Sequence, residues 1–185
     1  DDVRRLAKHN PEMINAMSAE LGASMLHLAQ NLRSQVSRNA LLGLHDMFTF
    51  LRKQMDAVID TAVPVLMKRA CETNGFICEA SDNALHAMVC HAGSRPAMVA
   101  LLAGGGSRNA QLRTKAAVHL ESLIDKEGDR LLQFRETDRL FPGLAAFAGD
   151  SSPECRAHGK RGLYRLSRLY NAAEFERKCT ALISP

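Results

Sequence analysis

Four segments of this 185-residue chain repeat one apolar spacing. Counted from Val36, Ile77, Leu112 and Cys155, the residue eight positions on is Leu44, Leu85, Leu120 and Leu163, and the residue eleven on is Met47, Met88, Leu123 and Leu166. Residues three apart lie on one face of an α-helix, so all four segments present the same apolar stripe. A helix with such a stripe must bury it against another element, and four helices carrying the same one bury it most simply against each other. The starts stand 35 to 43 residues apart, which leaves room for one further helix in every interval.

A period of that length is close to the roughly 40–47 residues of HEAT and armadillo units. The chain therefore reads as all-α, an α-solenoid of HEAT-like antiparallel helix pairs. Composition agrees. Apolar residues make up 46% of the chain, aromatics only 5%, and Trp is absent. A core of Leu, Ala, Met and Val favours helix and argues against a β-sandwich. Periodicity and breakers predict helices over about 2–9, 11–31, 35–52, 55–71, 76–92, 95–104, 109–127, 137–148, 153–169 and 172–183, with Pro11 at a first helical position after Asn10. Short connections make neighbours antiparallel.

Several kinds of chemistry find no support in the residues. No stretch approaches the roughly 18 apolar residues of a membrane span, and Asp1-Asp2-Val3-Arg4-Arg5 lacks signal-peptide character. The sequence reads as a domain excised from a longer protein. Cys71, Cys78, Cys90, Cys155 and Cys179 are odd in number and form no C-x-x-C pair, which points to a reduced, intracellular protein. Among the seven histidines, His86 and His91 with Cys90 come nearest to a ligand set, yet a zinc site there needs ligands from elsewhere. Gly104-Gly105-Gly106-Ser107 is followed by no P-loop lysine and preceded by no strand, so it reads as a helix linker. Asp46, Asp56, Asp60 and Asp82 pair with no second carboxylate in sequence, and Cys78 has no evident histidine partner. No catalytic residue, metal or cofactor is expected, and the chain reads as a binding module and not an enzyme. The formal charge of +4 and pI near 8.9 favour an acidic partner.

In a stack of helix pairs, the loops joining paired helices align along one edge. That edge comprises 32–38, 72–77, 104–109 and 149–154. Four groups of residues on it resemble the tubulin-facing loops of the TOG domain, a HEAT-repeat module of proteins that bind tubulin. Val36-Ser37-Arg38-Asn39-Ala40 resembles the second loop, and Asn74-Gly75-Phe76-Ile77 with Glu79 and Asp82-Asn83-Ala84-Leu85 the third. Ser107-Arg108-Asn109 with Leu112-Arg113 resembles the fourth, and Asp150-Ser151-Ser152-Pro153-Glu154-Cys155-Arg156 with Lys160 the fifth. The likeness is greatest to the TOG-array regulators of axonemal microtubules, also called crescerins.

The resemblance covers nearly the whole chain and implies one domain over 1–185 with incomplete first and last repeats. The helix at 2–9 would be the second half of the first repeat and 172–183 the first half of the sixth. The first loop, which carries an apolar anchor in several relatives, is not in this sequence. The implied partner is αβ-tubulin or microtubules, bound on behalf of the other domains of a larger multidomain protein. The implied setting is cytoplasm and cytoskeleton, extending to the cilium or axoneme and the basal body. Neither nucleic acid nor membrane is an expected partner, since the basic row lacks interleaved aromatics and the net charge is modest. The alternative is a HEAT-repeat scaffold for a protein other than tubulin.

The residues expected to touch tubulin are Arg33, Ser37, Arg38, Asn74, Phe76, Arg108, Asn109, Arg113, Arg156 and Lys160. A row of cations would steer an acidic protein and fix its register, and arginine engages carboxylates and carbonyls with paired hydrogen bonds. Exposed ion pairs contribute only about 0.2–1 kcal/mol each, so an apolar anchor is needed as well. Phe76 either serves as that anchor or packs with Ile77 as the first apolar turn of its helix. Asn74-Gly75 and Ser152-Pro153-Glu154 also have a purely structural reading as helix caps.

Overall fold

The computed structural model describes residues 2–183. Among these residues there are ten α-helices and no strand. The helices are Asp2–His9 (α1), Ser18–Ala29 (α2), Ser34–Leu51 (α3), Ile59–Arg69 (α4) and Gly75–His91 (α5). They continue with Ser94–Gly104 (α6), Ala110–Glu127 (α7), Leu140–Ala148 (α8), Pro153–Ser167 (α9) and Ala172–Ile183 (α10). Contacts divide the chain into two compact units, Asp1–Ala100 and Leu101–Pro185.

In the first unit α3 lies between α1 and α5, while α2 packs on α3 and α4 on α5. Leu41, Leu44, Met47, Phe48 and Leu51 of α3 are buried, as are Ala80, Ala84, Leu85 and Met88 of α5, and the two helices pack together. Each fully buried Leu, Met or Phe contributes about 1.5–3 kcal/mol, so the packing of α3 on α5 is a substantial source of stability here. In the second unit α7 packs on α9, and α8 covers α9 with α10 against α8. Leu120 and Leu123 of α7, Leu144 and Phe147 of α8 and Leu166 of α9 are buried there. Gly159 explains how closely α8 and α9 approach: a Cβ on it would fall 2.4 Å from the Ala148 backbone nitrogen.

The repeated stripe is the core of both units. Leu44, Leu85, Leu120, Met47, Met88, Leu123 and Leu166 are all fully buried; Leu163 alone is half-buried. Three expected helices are shorter than their sequence pattern; the one over 137–148 begins only at Leu140, after the 3₁₀ segment Arg135–Arg139. The segment 11–31 opens as the 3₁₀ turns Pro11–Met13 and Asn15–Met17 before α2 begins. Residues 52–58 form a 3₁₀ segment because Arg52, at the end of α3, takes φ 53° and ψ −119° and breaks the helical path. Gly128 does the same at the end of α7, with φ 51° and ψ −130°, and the 3₁₀ segment Gly128–Gln133 follows. The two corners share a backbone conformation; only one is occupied by glycine.

Candidate functional site

One register position builds the loop edge in both units. The residue just after each apolar start is Ser37, Cys78, Arg113 or Arg156, and each bonds the backbone of the helix end or loop before it. Ser37 Oγ donates to the Ala29 carbonyl at 2.6 Å and Cys78 Sγ to the Ala70 carbonyl at 2.8 Å. Arg113 Nη1 donates to the carbonyls of Ser107 at 2.9 Å and Arg108 at 3.1 Å. Arg156 Nη1 donates to those of Asp150 at 2.8 Å and Ser151 at 2.9 Å. Carbonyls at a helix end and in the loop that follows lack ladder partners, and a side chain in the first turn of the next helix is the nearest donor.

In the first unit Arg69, at the end of α4, joins two loops. Its Nε donates to the Ala29 carbonyl at 2.6 Å, and its Nη2 to the Asn31 carbonyl at 3.0 Å and Ser37 Oγ at 2.8 Å. Its Nη1 pairs with the Glu72 carboxylate. Asn74 caps α5, its Oδ1 accepting from the Phe76 backbone N–H at 3.1 Å, while its Nδ2 reaches Ser34 Oγ at 3.5 Å. The connections 30–33 and 70–74 are thus fixed to each other. From this platform Leu32 projects fully exposed and Phe76 is 70% exposed. Arg33 is exposed and Arg38 half-exposed.

In the second unit Asp150 organises the edge. Arg113 donates to it through Nε at 2.5 Å and Nη2 at 3.0 Å, and the Ser152 N–H donates at 2.8 Å. The Asp150 side chain is only 6% exposed and that of Arg113 18%. The Arg113 guanidinium and the Ser152 N–H outweigh burial and hold the Asp150 carboxyl well below the usual carboxylate range; the same pairing raises Arg113 above its ordinary value. Asn109 caps α7, accepting from Gln111 N–H at 2.8 Å, and Ser152 caps α9 with Pro153 in its first turn. Arg108, Asn109 and Lys160 are exposed, and the charged ends of Arg108 and Lys160 have no partner among the described residues.

The ten expected contact residues therefore separate into four groups. Arg33, Arg38, Phe76, Arg108 and Lys160 present free side chains to solvent. Asn74 and Asn109 are caps whose amide ends stay at the surface. Ser37 is corrected: it is fully buried, so it shapes the loop and touches no partner. The guanidinium groups of Arg113 and Arg156 are engaged with loop carbonyls and, for Arg113, with Asp150. Their shared position is a brace for the edge. Phe76 does not pack as the first apolar turn; Ile77 alone does so, at 2% exposure. Sequence reasoning passed over two residues. Leu32, an apolar side chain between Asn31 and Arg33 in a turn, carried a readable signal; Arg69, whose partners other than Glu72 lie 32 to 40 positions away, carried none.

Little else in the chain offers chemistry. No group of three or more His, Cys, Asp or Glu side chains suited to a metal ion occurs among the described residues, and His86 Nε2 meets only Cys90 Sγ, at 3.4 Å. Burial and the negative charge of Asp150 push the Cys155 thiol up to about 11, so it stays protonated near neutral pH. All five cysteines are free thiols. No helix among the described residues is long and apolar enough to cross a membrane.

Comparison with known proteins bears on this architecture directly. The CLASP N terminal family matches residues 3–174. TOG array regulator of axonemal microtubules protein 1 of Mus musculus is 37% identical over 166 residues, covering 88% of this chain and 9% of the relative. Crescerin-like protein che-12 of Caenorhabditis elegans is 27% identical over 180 residues, 95% of this chain and 14% of the relative. The chain thus spans a small part of each of these relatives. A solved structure described as "TOG-tubulin binding specificity promotes microtubule dynamics and mitotic spindle formation" superposes with a TM-score of 0.66 at 15% identity, over 96% of this chain and 73% of that one. That likeness establishes the fold. With its paired helices, its buried stripe and a family match over nearly its full length, the chain belongs to the CLASP N terminal family of TOG-type helical-repeat domains.

Proposed function

We propose that this domain binds αβ-tubulin through the exposed residues of its loop edge and so helps a larger protein regulate microtubule assembly. One observation carries the reading: once the bracing residues are set aside, what the loops still offer is free cations and bare apolar side chains. Leu32, Arg33, Arg38 and Phe76 form such a set on the first unit, and Arg108 and Lys160 on the second. Cations steer and orient an acidic protein, and well-buried apolar anchors supply most of the affinity of an interface. The family match and the names of the relatives, regulators of axonemal microtubules, point to tubulin as the partner and to the cilium or axoneme as the setting. The domain acts by binding, without catalysis, and the two units work as one TOG-like domain.

Size-exclusion co-elution with purified tubulin, at low and at physiological salt, tests this. Salt-sensitive co-elution that disappears in Arg33→Glu/Arg108→Glu and in Leu32→Ser/Phe76→Ser is the expected result. Co-elution retained by both variants overturns the assignment of the edge. No co-elution of the unaltered domain, nor of a longer piece of the parent protein containing it, would refute tubulin as the partner.

A further inference from the structure

The second unit carries another surface, at the far ends of α7 and α9. Ile124 stands 14 residues into α7, about 20 Å along the helix from the loop before it. Arg161, Tyr164, Arg165 and Arg168 follow one another at i, i+3, i+4 and i+7, so they share a face of α9 and its end. Together with Ile124 and Leu169 they line an open groove of about 430 Å³.

The groove is built on a buried acid. Glu121 of α7, 7% exposed, accepts from Arg161 Nε at 3.1 Å on both oxygens and from Arg165 Nε at 3.3 Å. His158 Nδ1 lies 2.7 Å from Glu121 Oε2. Burial pushes the Glu121 carboxyl up, but the hydrogen bonds from His158, Arg161 and Arg165 prevail and keep it below its ordinary value. Ionised, it fixes the planes of both guanidinium groups. Arg165 also pairs with Asp125. Each of these arginines still has N–H donors to spare, since a guanidinium has five. The Arg168 guanidinium has no partner among the described residues, and Tyr164 is 65% exposed. Three guanidinium groups against the carboxylates of Glu121 and Asp125 leave the groove one positive charge in excess, beside an apolar lining to which half-buried Leu169 offers surface and Ile124, 1% exposed, almost none.

We propose that this groove docks an acidic peptide segment of a partner protein, with an aliphatic side chain seated against Leu169 and flanking carboxylates held by Arg161, Arg165 and Arg168. Orientation by Glu121 suits the arginines to paired hydrogen bonds with carboxylates. The apolar lining selects a peptide over a nucleic-acid backbone, which offers no aliphatic group to meet it. The exposed Tyr164 ring covers the seated side chain and its hydroxyl remains in water. This surface does not depend on the tubulin reading, and the residues of the two are separate.

Fluorescence anisotropy with a fluorescein-labelled Glu-Glu-Glu-Leu-Glu-Glu-Glu peptide tests the assignment on the whole chain. Saturable, salt-sensitive binding is expected. Arg168→Glu and Tyr164→Ala alter exposed side chains on which no described contact of the fold depends, and each should weaken binding, the charge reversal by at least about fivefold. Arg33→Glu/Arg108→Glu should leave it unchanged, which separates this proposal from the loop-edge reading. The proposal fails if neither groove variant weakens binding, if the loop-edge variant abolishes it, or if the peptide with glutamine at every glutamate binds equally well. It fails also if labelled oligothymidylate binds the groove more tightly than the peptide, or if sedimentation shows the peptide displacing a second copy of the chain from it.

Discussion

Replacing Arg52 with glycine should make the protein more stable, although arginine ordinarily favours helix. Arg52 ends α3 at φ 53° and ψ −119°, a backbone region that costs a residue with a Cβ about 1–3 kcal/mol. Its side chain is exposed and has no partner among the described residues, so removing it sacrifices nothing visible. Glycine relieves the strain and costs about 0.5–1 kcal/mol in unfolded-chain entropy. The net gain is then about 0–2.5 kcal/mol, or up to roughly 10 °C in Tm for a chain of this length. The equivalent corner in the second unit offers the reciprocal change. Gly128 has φ 51° and no atom within 4 Å of a would-be Cβ, so Gly128→Ala loses stability through the backbone alone. Thermal melts followed by circular dichroism at 222 nm, on the two single variants, measure both effects. If Arg52→Gly lowers Tm while Gly128→Ala leaves it unchanged, positive φ is not what these corners have in common energetically and the reasoning is refuted.

Three other perturbations probe the scaffold of the edge. Gly159→Ala places a methyl 2.4 Å from the Ala148 nitrogen and 2.7 Å from the Phe147 carbonyl carbon, both backbone atoms, and should cost about 1–3 kcal/mol or more in urea denaturation; a neutral result would mean that α8 and α9 separate freely. Arg69→Lys retains the charge but cannot reach Ala29, Asn31 and Ser37 together, so a loss of about 1–3 kcal/mol is expected, with faster amide exchange at 30–37; unchanged exchange contradicts the brace. Because the Asp150 carboxyl is held below its ordinary value when folded, its contribution is complete above the unfolded value near about 3.9 and fades as pH falls through the folded one. Asp150→Asn should therefore be less stable than the parent at pH 6, with the gap closing below about pH 4; a gap independent of pH removes the ionised pair as its cause.

The architecture was legible because it rests on a repeated signal. Leu44, Leu85 and Leu120 report burial through spacing alone, and Asn74, Asn109 and Ser152 report helix starts through their own side chains, whose bonds are local. Arg113 and Arg156 were legible as a pair but not in their role. Their register was visible, whereas the turn of the chain that brings loop carbonyls within reach was not. Arg69 escaped entirely, since nothing near it in sequence shows that Ala29 and Asn31 will be adjacent. The corner at Arg52 escaped for the opposite reason: an arginine there gives no hint of a conformation that glycine announces at 128. Of the candidate site, the exposed cations and Phe76 could be named in advance, and Leu32 should have been, because an apolar residue inside a polar turn has no local reason to be there.

The bracing of loop carbonyls by side chains from the helix that follows affects how this surface can change over evolutionary time. Substitution at Ser37, Arg69, Arg113 or Arg156 alters the shape of the edge before it alters any contact, so such variants should appear as reduced abundance, cleared as poorly folded chains. Leu32, Arg33, Phe76 and Arg108 support no other part of the fold and are free to vary one at a time. If the edge binds as proposed, a lineage can retune what it recognises while its framework stays constant, and two copies of the domain in one protein can diverge in partner without diverging in architecture.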